Sequence, residues 1–184
     1  MRTIEHYKNV PNVHMLKKIL FGLVVVFIVI QFIHPQKNLS NDRLYDVSTK
    51  YAMPEDVKSI LQVACNDCHS NKTEYPWYSN LQPVAWILAD HVNDGKRHLN
   101  FSEFTSRPVA YQNHKFEETI EMLKEGEMPL PSYTYFGLHS GAKLTEAQKQ
   151  ILIKWAETNM DSLKSQYGAD SLVMRRPQGP PSAK

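Results

Sequence analysis

Cys65 and Cys68 are the only two cysteines of this 184-residue chain, and His69 follows directly, forming one Cys-x-x-Cys-His element. At that spacing each thiol can add to one vinyl group of a porphyrin, and the next residue is then held beneath the iron as its proximal ligand. No cysteine is left over for another purpose, and a bound haem would add a large apolar face to whatever core the chain builds. Three rival readings of the pair are weaker. A thioredoxin-like redox site is expected beside a βαβ pattern, whereas the flanks here have helical spacing and few strand signals. A tetrahedral zinc site needs four ligands, and no second Cys-x-x-Cys or His-x-x-x-His supplies them. Two structural thiols packed as small apolar groups leave the adjacent histidine unexplained. The element therefore predicts haem c, covalently bound, one per chain.

The length fits one domain, and a hydrophobic content of 42% is enough for a modest core. A net charge of +2, with no basic cluster interleaved with aromatics, argues against nucleic acid as a partner.

The stretch from Ile19 to Ile33 carries no charge, and Gln31 is its one polar residue. As a helix it reaches about 22 Å, against about 30 Å for a hydrocarbon core. Beginning at Leu16, with Lys17 and Lys18 snorkelling to the headgroups, extends it to about 27 Å. A cleaved signal peptide has a similar basic region and apolar run. The following His34-Pro35-Gln36-Lys37-Asn38-Leu39, however, contains no small-x-small cleavage site, which favours an uncleaved transmembrane anchor over residues 16–33. A buried core helix fits poorly, because the run is apolar on all faces. Arg2, Lys8, Lys17 and Lys18 precede the uncharged run with only Glu5 against them, so the positive-inside rule puts residues 1–15 in the cytoplasm and the chain from about His34 on the exported side. That is where c-type cytochromes receive haem in bacteria. The expected location is a bacterial inner membrane, single-pass, with a periplasmic C-terminal domain and the lipid bilayer as a partner.

Residues 34–53 are polar and without sustained periodicity, and they read as a linker. Pro54 then sits at a first helical position, with Glu55 and Asp56 at the positive end of the helix dipole, and Val57, Ile60, Leu61 and Ala64 follow at helical spacing. A second helix is expected from Pro83 and Val84 to about Asn93, with Gly95 as its stop. A third is expected over 115–125, with Phe116, Ile120 and Leu123 as its apolar stripe and Gly126 as its cap. The last begins with a capping box, Thr145 and Gln148. Its face is Ala147, Ile151, Trp155 and Thr158, with Leu152 beside them, and its end falls between Met160 and Leu163. Residues 54–165 form the haem-binding domain, and 166–184, with Arg175-Arg176-Pro177-Gln178-Gly179-Pro180-Pro181, read as a flexible tail. The fold class is mostly α: a single N-terminal membrane helix and a small cytochrome c-like helical haem domain.

The sixth iron position decides function. A haem held by His69 alone binds or transforms small ligands, whereas a second protein ligand makes it an electron carrier. Met128 is the candidate, in Gly126-Glu127-Met128-Pro129-Leu130-Pro131, where the prolines fix an extended loop that can aim a thioether at iron. Of the other methionines, Met122 and Met160 read as helical, Met53 precedes the first helix and Met174 lies in the tail. Histidine is the alternative, from His91, His98, His114 or His139, with His91 and His98 flanking the end of the second helix. Trp77, Tyr78 and Trp86 could pack on the porphyrin or donate to a propionate, and ordinary core packing explains each about as well. Haem motif, helices, Met-Pro loop and a terminal helix bearing an aromatic together form an order that resembles class I cytochromes c.

The run Asp67-Cys68-His69-Ser70-Asn71, Thr73, Tyr75-Pro76-Trp77-Tyr78-Ser79, Pro83, Trp86, His91, Gly95, Asn100-Phe101-Ser102 and Met128-Pro129-Leu130 resembles the haem-binding domain family of membrane-anchored, cytochrome-like bacterial proteins. The resemblance covers roughly residues 55 to 160. It implies one covalent haem, an exported domain and no established enzymatic reaction. The family pattern often has an arginine after the glycine and a tryptophan after the Asn-Phe-Ser run, where this chain has Lys96 and Phe104. Lys96 lacks the fork for bidentate propionate binding, and the adjacent Arg97 could substitute.

The expected function is a membrane-anchored monohaem c-type cytochrome carrying single electrons on the exported side, an electron carrier rather than a catalyst. Its partners would be membrane and soluble redox proteins and the cytochrome c maturation machinery. The alternatives are a peroxidase-like or ligand-sensing haem protein with an open distal site, and a structural subunit whose iron turns over no electrons.

Overall fold

The computed structural model describes residues 13–134 and 139–174. Among them the α-helices are α1 (Val13–Ile30), α2 (Glu55–Ala64), α3 (Asn66–His69), α4 (Val84–His98), α5 (Val109–Glu125), α6 (Pro131–Thr134) and α7 (Glu146–Gln166), joined by short 3-10 turns and without a strand. The protein is therefore mostly helical with no sheet among the described residues. Arg2, Glu5 and Lys8 lie outside the described residues, as does the 175–181 stretch. The described chain divides into two compact units, one of residues up to Gln36 with Tyr75–Asp90, the other of Lys37–Glu74 with residues from His91 onward.

The smaller unit is dominated by α1, whose 18 residues are all unburied and which is long and apolar enough to cross a membrane. At 1.5 Å per residue it is about 27 Å long. The helix starts and ends three residues before the span read from the sequence, and Gln31, Phe32 and Ile33 continue it as tighter turns back to Ile28, Val29 and Ile30. The same unit holds the 3-10 turn Trp77–Asn80 and the first half of α4.

In the larger unit α2, α5 and α7 bury their apolar faces in one core. Val57, Ile60, Leu61 and Ala64 are buried on α2 at the expected spacing, and Phe116, Ile120 and Leu123 on α5. The centre is aromatic. Phe116 meets Trp155 edge-on at 5.4 Å between ring centroids, and Tyr51 meets Phe116 edge-on at 5.0 Å, a geometry that sets ring edges against ring faces. Burial raises the pKa of the Tyr51 hydroxyl, which donates to Gln112 Oε1 at 2.5 Å.

Several boundaries differ from those local patterns predict. The stretch 37–53, polar enough to read as a linker, puts Val47 and Tyr51 into the core, and the Ala52 carbonyl accepts the Trp155 indole N–H at 2.9 Å. Asp46 is engaged locally: it caps the 3-10 turn Val47–Thr49 and pairs with Arg43 at 2.8 Å. Similarly, Leu172 and Tyr167, in the segment read as a tail, pack on the core. Helix α5 begins at Val109, directly after Pro108, and closes at Gly126, whose φ of 74° is the left-handed cap that glycine adopts without strain. The Thr145–Gln148 capping box is formed, with the Thr145 amide donating to Gln148 Oε1 at 2.9 Å. The buried face of α7 is set by Leu152, Trp155, Ala156, Asn159 and Leu163, about one residue round from the predicted stripe, with Thr158 outside it, and the helix runs on to Gln166.

Candidate functional site

Cys65 ends α2 with its amide still bonded to Leu61, and the chain then turns once more. The amides of Cys68 and His69 both donate to the Cys65 carbonyl, at 3.2 and 2.9 Å. One helical turn thus carries positions i, i+3 and i+4 on a common side, which is the physical content of the Cys-x-x-Cys-His spacing. All three residues line one cavity of about 440 Å³ in the larger unit, a size within the roughly 300–1,000 Å³ range of small-molecule and cofactor sites.

Helix α4 fixes the orientation of His69. Its Nδ1 lies 3.0 Å from the Gly95 carbonyl and 3.0 Å from the Leu99 carbonyl. Carbonyls only accept, so the ring proton sits on Nδ1 and the lone pair remains on Nε2. Burial lowers the pKa of the ring despite these two acceptors, keeping it neutral. A neutral imidazole with its far nitrogen tied to backbone is the arrangement of a metal-binding histidine.

Gly95 does not end α4 as the sequence reading expects, since the helix continues to His98. Its role is close approach: a Cβ at position 95 would lie 2.7 Å from the Cys68 carbonyl oxygen and 3.0 Å from Cys68 Cβ. Only a bare Cα lets the helix come near enough for its carbonyls to reach His69 Nδ1.

A polar clamp holds the motif from its other flank. Asn71 is buried at 4% exposure. Its amide N–H donates to Ser102 Oγ at 3.1 Å, its side chain donates to the Asp42 carbonyl at 3.1 Å, and it accepts from Asn100 Nδ2 at 2.9 Å. Asn38 donates to the Ser70 carbonyl at 2.8 Å and to Thr73 Oγ1 at 3.0 Å, and accepts from Lys96 Nζ at 2.7 Å. The Ser70, Asn71, Thr73, Asn100 and Ser102 positions of the resemblance are thereby accounted for as scaffold, with each buried polar group given a partner. Lys96 is engaged in this clamp, and Phe104 is a core residue at 1% exposure.

Met128 lines the same cavity as His69, and so do Met122, His91 and His98. Its loop is tied back to the motif, because the Tyr133 hydroxyl donates to Asp67 Oδ2 at 2.5 Å while Asp67 Oδ1 accepts the Glu74 amide at 2.8 Å. Asp67 lies between the two cysteines and Tyr133 five residues beyond Met128, so this bond closes the 126–133 segment onto the Cys-x-x-Cys-His turn. Spacing alone gives no sign of that contact, nor of Lys115 and Glu118, a paired lysine and glutamate that also line the cavity. Apolar walls come from Leu61, Leu99, Phe101, Leu123, Leu130 and Leu152.

The other candidates are not among the residues that line this cavity. Arg97 is exposed and paired with Asp94, and it does not line the cavity. Trp77, Tyr78 and Trp86 belong to the smaller unit, where Trp77 stacks edge-on against Tyr78 at 5.8 Å and the Trp86 indole donates to the Ile33 carbonyl at 3.1 Å. Of the histidines, His114 pairs with Glu118 at 3.0 Å and His139 stacks on Tyr133 at 4.2 Å.

Cys65 and Cys68 are not joined in a disulfide. Burial pushes the Cys65 thiol up to about 12 and the Cys68 thiol up to about 11, with neighbouring Cys68 and Asp67 adding to the respective shifts. Redox dithiols depend on the opposite, a depressed pKa. Among the described residues no group of three or more His, Cys, Asp or Glu side chains is placed to hold a metal ion unaided, so the pair also lacks the partners of a tetrahedral zinc site. A prepared imidazole nitrogen, a thioether, two thiols and apolar walls around one cavity fit a haem.

In a comparison with known protein families, residues 25–158 match the family model described as a haem-binding domain. No curated protein and no solved structure matches the chain.

Proposed function

This chain belongs to the haem-binding domain family, and on that premise we propose that it is a membrane-anchored monohaem c-type cytochrome carrying single electrons on the exported side of a bacterial inner membrane. The sulfurs of Cys65 and Cys68 would each form a thioether by adding S–H across a vinyl group, His69 Nε2 would be the proximal iron ligand, and Met128 the distal one. When bound, the haem supplies an iron that cycles between ferric and ferrous and so takes up or releases one electron.

The observation that carries the reading is the state of His69, whose Nδ1 is committed to the Gly95 and Leu99 carbonyls in a cavity that also contains the Met128 side chain. The carbonyls at the end of α4 orient the ring and raise the basicity of Nε2. Against this, the Met128 thioether is a soft, weakly basic ligand that favours the reduced metal, so the pair raises the potential relative to two histidines. Two protein ligands leave no iron position for substrate, which is why we read a carrier rather than a catalyst. His91 and His98 are on α4, the helix that already backs His69 through its carbonyls. Met128 comes from the loop after α5, a different wall, and is therefore the preferred distal residue.

Helix α1 would keep the domain at the membrane and raise its effective concentration near membrane redox complexes without any added contact. Soluble redox proteins would be the other electron partners, and the cytochrome c maturation machinery would install the haem.

Met128→Ala tests the assignment. The methionine-to-ferric-iron charge-transfer band should vanish and the reduction potential should fall, while haem remains attached. An unchanged band would remove Met128, and loss of the band in His91→Ala instead would move the ligand to α4. Rapid cyanide binding by the unaltered ferric protein would indicate an open distal site and a ligand-binding or peroxidase-like function.

A further inference from the structure

Between Glu74 and Asp90 the chain contains no charged residue and no histidine. This is the segment that shares the smaller unit with α1, and its burial pattern is inverted relative to a water-soluble surface. Ser79 and Gln82 are buried, at 4% and 2% exposure, while Trp77 is 77%, Ile87 53%, Leu81 45% and Trp86 38% exposed. Such an arrangement turns polar groups inward and sets large apolar and aromatic side chains outward. In water it would be an exposed hydrophobic patch that needs an explanation.

The hydrogen bonds identify the neighbour of that patch. The Gln82 amide donates to Gln31 Oε1 at 2.9 Å, and Gln82 Nε2 donates to the Ile33 carbonyl at 2.6 Å. That same carbonyl accepts the Trp86 indole N–H at 3.1 Å. Gln31, the one polar residue of the apolar run, is thus used to tie this segment to the C-terminal end of α1, and the backbone just past the helix is satisfied by protein rather than by water.

We propose that residues 75–87 form an interfacial collar, with Trp77, Leu81, Trp86 and Ile87 inserted at the headgroup–acyl boundary of the bilayer on the exported side. The inference rests on α1 spanning the membrane. Tryptophan and tyrosine collect at that level because the ring is apolar and its N–H or O–H is not. The collar also answers the shortness of α1: about 27 Å of helix is slightly less than the roughly 30 Å hydrocarbon thickness, and apolar surface fixed to its end offsets that mismatch. The collar's occupant is lipid rather than a protein partner, because the patch is continuous with the end of the membrane-crossing helix.

The test uses the full-length, haem-loaded protein in phosphatidylcholine vesicles with either ordinary or brominated acyl chains, bromine quenching only tryptophans at the bilayer. The three tryptophans are Trp77, Trp86 and the core residue Trp155. Brominated lipid should lower wild-type emission, Trp77→Phe should reduce the effect, and Trp77→Phe/Trp86→Phe should abolish it. Trp77 is highly exposed, so its replacement leaves the fold intact and the single variant remains informative. Equal emission from wild type in both lipids, while the chain resists alkaline carbonate extraction, would overturn the collar and leave the span standing. A chain that carbonate releases from the vesicles would overturn the span and the collar together.

Discussion

Gly95→Ala places one methyl group where α4 lies against the Cys-x-x-Cys-His turn, and its expected effect has the opposite sign to the usual one. In the interior of a helix, glycine to alanine ordinarily stabilises by about 1 kcal/mol. Here the new Cβ would lie 2.7 Å from the Cys68 carbonyl oxygen, 3.0 Å from Cys68 Cβ and 3.2 Å from the Cys68 carbonyl carbon. Two of these atoms are backbone, so the helix and the motif must separate. Overpacking of this kind costs about 1–3 kcal/mol. The separation also stretches the hydrogen bonds from His69 Nδ1 to the Gly95 and Leu99 carbonyls, at about 1 kcal/mol for one bond lost. That loss roughly cancels the propensity gain, leaving a net destabilisation of about 1–3 kcal/mol. Urea unfolding of the detergent-solubilised full chain, followed by circular dichroism, measures it. Gly168→Ala is the control, since nothing lies within 4 Å of its Cβ position, and it should change stability by less than about 0.5 kcal/mol. A Gly95→Ala protein as stable as wild type, or more stable, would refute the close-approach argument.

Three further substitutions test other contacts. Tyr133→Phe removes the hydroxyl that donates to Asp67 Oδ2; a hydrogen bond to a charged group contributes about 1.5–3 kcal/mol, so imidazole should bind the ferric protein at least about tenfold faster, and an unchanged rate would show that this bond does not hold the Met128 loop closed. Asn71→Ala deletes the hub of the clamp and strands Asn100 Nδ2, which should cost about 1–3 kcal/mol in urea unfolding; a neutral result would mean that the clamp is dispensable. Trp155→Phe leaves the Ala52 carbonyl without its donor and a void in the core, for an expected loss of about 1–3 kcal/mol in the same assay, and an unaltered midpoint would show that residues near Ala52 are not docked as described.

Local signals were readable wherever the structure uses them locally. The Cys65–His69 turn, the apolar stripes of α2 and α5, the Gly126 cap and the Thr145 capping box depend on residues within one or two turns of each other. Gly95 was misread for the complementary reason: glycine is a common helix stop, and nothing nearby in sequence reveals that Cys68, 27 positions earlier, lies against it. The 37–53 stretch has a linker's composition because Asn38 and Asp46 bond backbone and side-chain groups, while Val47 and Tyr51, with Met53 beside them, carry its apolar contact with the core. Trp77 and Trp86, for which porphyrin contact and ordinary packing read equally well from the sequence, share a unit with α1. Met128, singled out by its proline-flanked loop, lines the cavity with His69. The Asp67–Tyr133 bond was invisible because it joins segments 66 residues apart.

The electron-carrier reading depends on Cys65 and Cys68 holding haem covalently beside His69. The most direct measurement is haem staining of a denaturing gel after expression with a c-type maturation system, comparing wild type with Cys65→Ala/Cys68→Ala. Stain is expected on the wild-type band and none on the variant. A wild-type band without stain, from protein that is otherwise folded and membrane-bound, would contradict covalent attachment and with it the c-type electron carrier.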